Sequence, residues 1–559
     1  MRLCLPAILC LFLVESSFGV NTQTDFDVVI AGGSTAAFAA AVSAAESGAR
    51  VALLEPTDWV GGQLTSSGVP AVDEAWHKLS NDDDDGKVTL DVAAIARTPA
   101  NISPHLRTML DAIGCPGKCW VSRFCFEPQA LLNEHLLPLE NRLEKLTVFR
   151  ETVVKHAEVR DGKIVSLRAI QRHKKASVEG DGYDLLPSAD VTDWYAAEDS
   201  DRFIKEVLEF RGDRVVYIEA TEWGELLVLT DAPYLLGVEN TDGGLEGDDT
   251  YGQSITYGFV QEFHATEDAA RDKDVPNPKV THLGLGDYRD RDKAWELVWT
   301  YRRLRAKERA PTPGDLSLQN WGYYVKKNEG GNDYPFGYLF LDREAARKQT
   351  EDENWSGGVD LRVMAAAEQR AYGWHRWFKR KAPEEITDRL SLNRSVLGAT
   401  HGLSKLPYIR DTRRSIGLDG FLLQVSDLTP TASGKLARKF DDRIALGAYP
   451  VDIHPLANKT YPDYIKKDYE VAPFTIPFRA LTNDKVENML VAGKTMAQSF
   501  LANSATRLHP TEWATGTAAG IAAAKMARDG LSTRQLTTRT HELQQLVKPK
   551  TPIDWTLPR

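Results

Sequence analysis

The stretch from Asp27 to Pro56, DVVIAGGSTAAFAAAVSAAESGARVALLEP, constrains this chain more than any other. Val28-Val29-Ile30 is a short, β-branched, apolar run, the pattern of a strand buried on both faces. Gly32-Gly33 follow at once, and a run of small residues then predicts a helix from about Ala36 to Ser47, closed by Gly48. A second apolar strand, Val51 to Leu54, ends at Glu55. Two parallel strands need a crossover between them, so this order of strand, turn, helix and strand predicts a βαβ unit.

The residues at the turn suit a dinucleotide. Gly32 and Gly33 let the backbone approach a pyrophosphate, and the helix start offers it free N–H groups and the positive end of the dipole. Ser34 and Thr35 add hydroxyl donors. Ala31 and Ala36 stand where the first and third glycines of the usual fingerprint sit. Ala36 is small enough for the helix to lie against the sheet, and Ala31 requires a turn without positive φ. Glu55 is placed to accept hydrogen bonds from two ribose hydroxyls.

Four further segments narrow the dinucleotide. Gly61-Gly62 follow the second strand in "PTDWVGGQLTSSGVPA". Thr147 to Ile170 reads as three strands, with Asp161-Gly162 as a hairpin turn. "DRVVYIEATEWGELLVL" carries an apolar strand into Ala220-Thr221-Glu222. Met489 to Ala492 is a buried strand ended by Gly493, and a small-residue helix begins near Thr511.

In this order the segments resemble the FAD-binding domain of the glutathione-reductase-like superfamily. They resemble most the secreted or periplasmic FAD-dependent oxidoreductases, and more distantly the flavoprotein subunit of fumarate reductase and succinate dehydrogenase. Two further segments, "GLSKLPYIRDTRRSIG" and "SLQNWGYYVKKNEGGNDYP", match the closer family.

The resemblance implies an α/β fold: a discontinuous Rossmann-type FAD-binding domain (25–80, 124–238 and 481–531), an inserted α+β substrate or cap domain (239–480) and a polar tail (532–559) with one helix over 534–547. It implies FAD as cofactor, contacted by Gly32, Gly33, Ser34, Thr35, Ala36, Glu55, Gly61, Gly62, Gln63, Val153, Thr221, Gly493, Thr511 and Gly516. Gln63 and Asn503 would approach the ring. "HLGLGDYRD", at Gly284 and Gly286, lacks the strand and helix of a second fingerprint, so no nicotinamide domain is expected.

Composition and targeting signals bound the rest. A net charge of −11 argues against a general nucleic-acid binder. Arg2, the apolar run Leu3 to Val14 and the small residues of Ser17-Phe18-Gly19 read as a cleavable signal over residues 1–19, hence a secreted or periplasmic protein with no membrane span. Of the cysteines left after cleavage, Cys115 and Cys119 could close a small disulfide in "CPGKC", leaving Cys125. Three cysteines make a poor zinc site, and no metal is expected. N-x-[ST] tripeptides stand at Asn101, Asn354, Asn393 and Asn458. "SNDDDDGKV" lacks the glutamate that a calcium loop needs and reads as a solvated loop.

Arg507 and His509, in "SATRLHPTE", are the first candidates for catalysis: an arginine to hold substrate and an imidazole to take a proton beside the flavin. Arg410, Arg413 and Arg414 either anchor an anion or form a buried network, with Asp411 and Glu222 as partners; the structural role is favoured. His401 is a further base candidate. Trp299, Trp321, Tyr323, Tyr324, Trp374 and Trp377 suit sugar stacking and an ordinary core equally. The reading is an FAD-dependent oxidase or dehydrogenase acting on a small organic substrate, its electrons passing to oxygen, a quinone or another carrier. A flavin-dependent lyase or hydratase, or a redox-inactive binding protein on the same fold, are the alternatives.

Overall fold

The computed structural model describes residues 19–558 apart from 76, 81–88, 179, 240–246, 249–250, 272–274, 276–290, 321, 324–329, 432–435 and 458–470. The signal-like segment, the "DDDD" run, Gly284, Gly286 and Asn458 lie outside the described residues, as do Trp321 and Tyr324.

The N-terminal unit forms as its sequence predicts. β1 (Val28–Ala31), α1 (Thr35–Glu46) and β2 (Val51–Leu54) are followed much later by β3 (Leu146–Phe149). β4 (Thr152–Arg160), β5 (Lys163–Lys174), α2 (Pro187–Trp194), β6 (Phe203–Arg211) and β7 (Val216–Glu219) come next. In the cap, β8 (Phe259–Phe263), β9 (Arg303–Arg305), β10 (Leu316–Gln319), α3 (Leu361–Lys381) and β11 (Leu390–Asn393) precede β12 (Met489–Val491) and α4 (His509–Asp529).

Five strands make one parallel sheet in the order β12-β7-β1-β2-β3. Every residue of β1, β2, β7 and β12 is buried, which is why these strands are short and, but for Glu219 at the end of β7, carry no charged residue. All five carboxyl ends point one way, so the turns after them gather along one edge, where open α/β sheets bind ligands.

β4, β5 and β6 form an antiparallel sheet, with the Asp161-Gly162 hairpin at positive φ (49° and 74°) as a type I′ turn requires. Val20–Gln23 pairs parallel to β6 on its outer side. The cap carries a second antiparallel sheet, β9-β10-β8-β11, backed by α3. Trp299 and Trp374 are fully buried in it, Trp299 stacked on Trp295 and Trp374 on Trp377. These rings belong to the core.

α1 and α4 pack side by side because both are made of small residues. A Cβ on Gly516 would sit 2.2 Å from the Ala36 carbonyl oxygen, and one on Gly520 2.1 Å from that of Ala40. That closeness brings the start of α4 to the turn after β1.

Two local expectations are corrected. The disulfide joins Cys119 to Cys125, and Cys115 is the free cysteine. Cys125 is bridged to Ala71 and its neighbours pair with Pro70 and Val72, which sets Cys125 against Cys119, while the Cys115 sulfur stays 3.8 Å from that of Cys119. The tail forms two helices, Thr533–Thr537 and Thr540–Val547, instead of one. The Asn101 side chain pins the end of the tail by bonding both the N–H and the carbonyl of Thr556 (2.8 Å each), whereas Asn354 is exposed.

Peptide mapping of the unreduced protein is expected to recover Cys119 linked to Cys125, with Cys115 alkylated. Gly516→Ala is expected to lower stability to urea by about 2 kcal/mol or more, since backbone of α1 must move to admit the methyl group.

Candidate dinucleotide and active site

The turn after β1 is held open for a ligand. Ser34 caps α1: its Oγ accepts from the Ala37 N–H (3.0 Å) and donates to the Ala220 carbonyl (2.6 Å), tying the turn to the end of β7. Thr35 donates to the Gly61 carbonyl (2.8 Å), tying it to the second glycine pair. The N–H groups of Gly33, Ser34, Thr35 and Ala36 find no partner among the described residues. Gly33 alone in this turn takes the left-handed conformation (φ 110°), so Ala31 carries no strain. Four free N–H groups at the start of a buried helix form an anion site.

A narrow cleft opens from this turn. Gly32, Gly33, Pro56, Val153, Thr221 and Glu222 line it, with Trp194, Tyr195, Trp223, Glu225 and Leu406. Gly32, Gly33, Val153 and Thr221, all expected at the cofactor, are therefore together.

Glu55 and Glu219 end neighbouring strands in the same local motif, Glu-x-Thr. Glu55 Oε1 accepts from the N–H (3.1 Å) and hydroxyl (2.9 Å) of Thr57, and Glu219 Oε1 from those of Thr221 (2.7 Å each). Glu219 also caps the Leu226 N–H through its other oxygen (2.6 Å), whereas the described bonds of Glu55 leave Oε2 for ribose hydroxyls. Burial pushes both carboxyls up to about 8.

Beside the start of α4 lies a buried triad that the sequence did not announce. Lys494, one residue past Gly493, sits between Glu222 (2.8 Å) and Glu512 (2.7 Å). Burial opposes its charge, but the two carboxylates outweigh burial and hold the ammonium above its usual range. Burial pushes Glu512 up to about 7 against the pull of Lys494. Glu222 was expected to pair with the arginines of "RDTRR"; Lys494 takes that place.

The start of α4 and the loop after Gly61-Gly62 form one bonded cluster. The Gln63 side chain donates to the Arg507 carbonyl (3.1 Å), and the His509 ring meets the Val69 carbonyl (3.0 Å). Asn503 donates to the Arg410 carbonyl (2.7 Å). Gln63, Asn503, Arg507 and His509 are thus neighbours. Thr511 lies in the first turn of α4, while Gly516 faces α1.

Arg507 leads into a chain of charges from the cap. Its guanidinium bonds the Tyr408 hydroxyl (2.7 Å) and Asp452 (2.8 Å). Asp452 lies 3.4 Å from His454 Nε2, and His454 Nδ1 lies 2.5 Å from Asp333. Asp333 is buried and also bonds Arg410 (3.0 Å) and the Thr256 hydroxyl. Burial alone would raise the Asp333 carboxyl; Arg410 and His454 outweigh it and hold the carboxyl below the usual range. The His454 side chain is 21% exposed, against 1% for Asp333. Among the described residues the Nε–H groups of Arg507 and Arg410 are buried without a partner.

His454 and Asp452 were not singled out in the sequence. His509 was, and it differs in kind. Its ring is buried, its Nδ1 has no partner, and burial pushes its pKa down to about 3. Such an imidazole stays neutral and is a poor proton acceptor. His401 is likewise pushed down to about 3, by burial first and then by Lys405 and Arg394. Arg413 bonds the carbonyls of Trp223, Gly357 and Gly358, and Arg414 those of Gln498, Thr412 and Gly237, so both brace backbone. Asp411 accepts from the Tyr338 hydroxyl and the Gln253 N–H.

The family of FAD dependent oxidoreductases matches residues 27–183 and 205–547, and the chain belongs to that family. FAD is its cofactor, and the open helix start, the cleft and the free Glu55 oxygen fit the pyrophosphate and ribose of that group. Solved structures similar to this one include FrdA of E. coli quinol fumarate reductase (11% identity, 94% of this chain and 74% of that one, TM-score 0.29). Others are GidA of Aquifex aeolicus (12%, 96% and 71%, TM-score 0.33) and p-nitrophenol 4-monooxygenase PnpA from Pseudomonas putida (10%, 96% and 88%, TM-score 0.32). No curated protein matches the chain.

Glu55 and Glu219 give the site a pH signature. A raised carboxyl keeps its proton in the folded state after the unfolded chain has lost it. Their burial is therefore without penalty below pH 4.5 and carries its full cost above about 8. The flavin-free protein is expected to lose urea stability as pH rises through that window, and Glu55→Gln to flatten the loss, read as urea midpoints at its two ends.

Proposed function

We propose that this oxidoreductase takes a hydride from a small organic substrate bearing a hydroxyl group, with His454 as the base. The observation that carries this reading is the Asp333–His454 pair, which Asp452 links to Arg507. FAD in the cleft supplies the hydride acceptor.

Asp333 accepts the Nδ1–H of His454 and so fixes the tautomer that leaves Nε2 to receive a proton. Arg410 and Thr256 hold the Asp333 carboxylate in place. Arg507 and Arg410 each keep one unmatched N–H for an oxygen of the substrate. Asp452 pairs with Arg507 and lies 3.4 Å from His454 Nε2, so it is placed to stabilise the imidazolium formed once the proton is taken. The catalytic role expected of Arg507 is kept as substrate binding, and that expected of His509 moves to His454.

Electrons then leave to oxygen, a quinone or a carrier protein. The secreted or periplasmic location is part of the same proposal: the signal-like N-terminus supports it, and so does the Cys119–Cys125 disulfide, which belongs to an oxidising compartment. Among the described residues no helix is long and apolar enough to cross a membrane.

Anaerobic addition of sugars, polyols and hydroxy acids to the holoprotein is expected to bleach the oxidised-flavin band with at least one of them. His454→Gln should slow that bleaching by about 10²–10⁴-fold while leaving bound FAD unchanged. Equal bleaching rates in the two proteins would remove His454 from the chemistry.

A further inference from the structure

The family match skips residues 184–204, yet this segment reaches the cofactor cleft. It folds as α2, and Ser188 anchors it to Glu368 of α3 through its N–H (2.9 Å) and hydroxyl (2.5 Å). Asp193 pairs with Lys205 (3.0 Å) at the other end. Between these anchors Trp194 and Tyr195 face the cleft opposite Trp223. Trp194 is held edge-on by Tyr183, with the Arg172 guanidinium 3.9 Å from its ring, and donates to Asp190 (2.8 Å).

At the same end lies Glu225. Its Oε2 accepts from the Tyr195 hydroxyl (2.9 Å) and from the Trp355 indole N–H (3.0 Å). Both described bonds fall on that one oxygen, which leaves Oε1 for a ligand in the cleft. Arg413, bound to the Trp223 and Gly357 carbonyls, braces the wall behind.

We propose that residues 184–204 complete an adenosine clamp with Trp223 and Glu225 of the matched part of the chain: Trp194, Tyr195 and Trp223 flank the adenine of FAD, and Glu225 accepts a hydrogen bond from its 6-amino group. The chemistry fits. Three aromatic side chains line the cleft and offer apolar surface to a flat heterocycle, and a carboxylate accepts from an amine and repels a carbonyl oxygen. The cleft continues from Gly32-Gly33 past Val153 and Thr221, so a ligand whose phosphates meet the start of α1 can extend its base into it.

The inference rests on the FAD assignment and deepens it. Its test is binding of ADP and of inosine diphosphate, in which a carbonyl replaces the amine, to apoprotein shown to rebind FAD. Calorimetry is expected to show ADP binding roughly ten-fold more tightly to the wild type, and Glu225→Gln to bring the two nucleotides close to equal. The wild-type comparison needs no variant to fold. Equal affinities in the wild type, a preference that survives Glu225→Gln, or no ADP binding to an apoprotein that rebinds FAD each overturn the clamp. A chain that takes up no FAD at all contradicts the assignment beneath it instead.

Discussion

The first turn of α1 leaves backbone N–H groups without partners, and the surrounding structure is arranged to keep them so. A buried helix start with four free donors is costly unless something answers it. Ser34 satisfies one donor with its own hydroxyl and locks the turn to the end of β7; Thr35 locks it to Gly61. Gly516 lets α4 press against α1, so the start of a second helix arrives beside the first. The anion site, the glycine pair and the start of α4 are therefore one construction, and the place of FAD follows from it.

Charge is distributed around that construction in two buried systems. Near the start of α4, Lys494 joins Glu222 to Glu512 across otherwise apolar packing. Further into the cap, Arg507, Asp452, His454, Asp333 and Arg410 form a chain in which two carboxylates separate the imidazole from the two guanidinium groups. Removing one partner from such a system leaves a buried charge uncompensated, a cost of about 3–5 kcal/mol in comparable cases. The two systems differ in access. The Lys494 ammonium is buried, whereas the His454 side chain is 21% exposed.

The cofactor half of the molecule was legible in the sequence because its signals are local. A strand buried on both faces shows as a β-branched run, a tight turn shows as glycine, and a close helix pair shows as alanine and glycine. The proposed active site is not local. His454 stands alone in "VDIHP", and the carboxylate that orients it is 121 residues away. Conversely, His509 stood in a promising place, but only packing reveals that burial silences it. The arginines of "RDTRR" look alike in sequence; one meets a carboxylate and two brace carbonyls, because their partners come from distant loops. The cysteines teach the same lesson. Cys115 and Cys119 are closest along the chain, but the pairing of residues 124–126 with 70–72 brings Cys125 to Cys119.

The most direct measurement is the visible absorption spectrum of the purified protein, taken again on the supernatant after denaturation. The bands of an oxidised flavin, released as FAD and not as the mononucleotide, are the predicted result. A colourless protein that fails to take up added FAD would contradict the account at its base, and with it the roles given to the start of α1, Glu55 and the cleft.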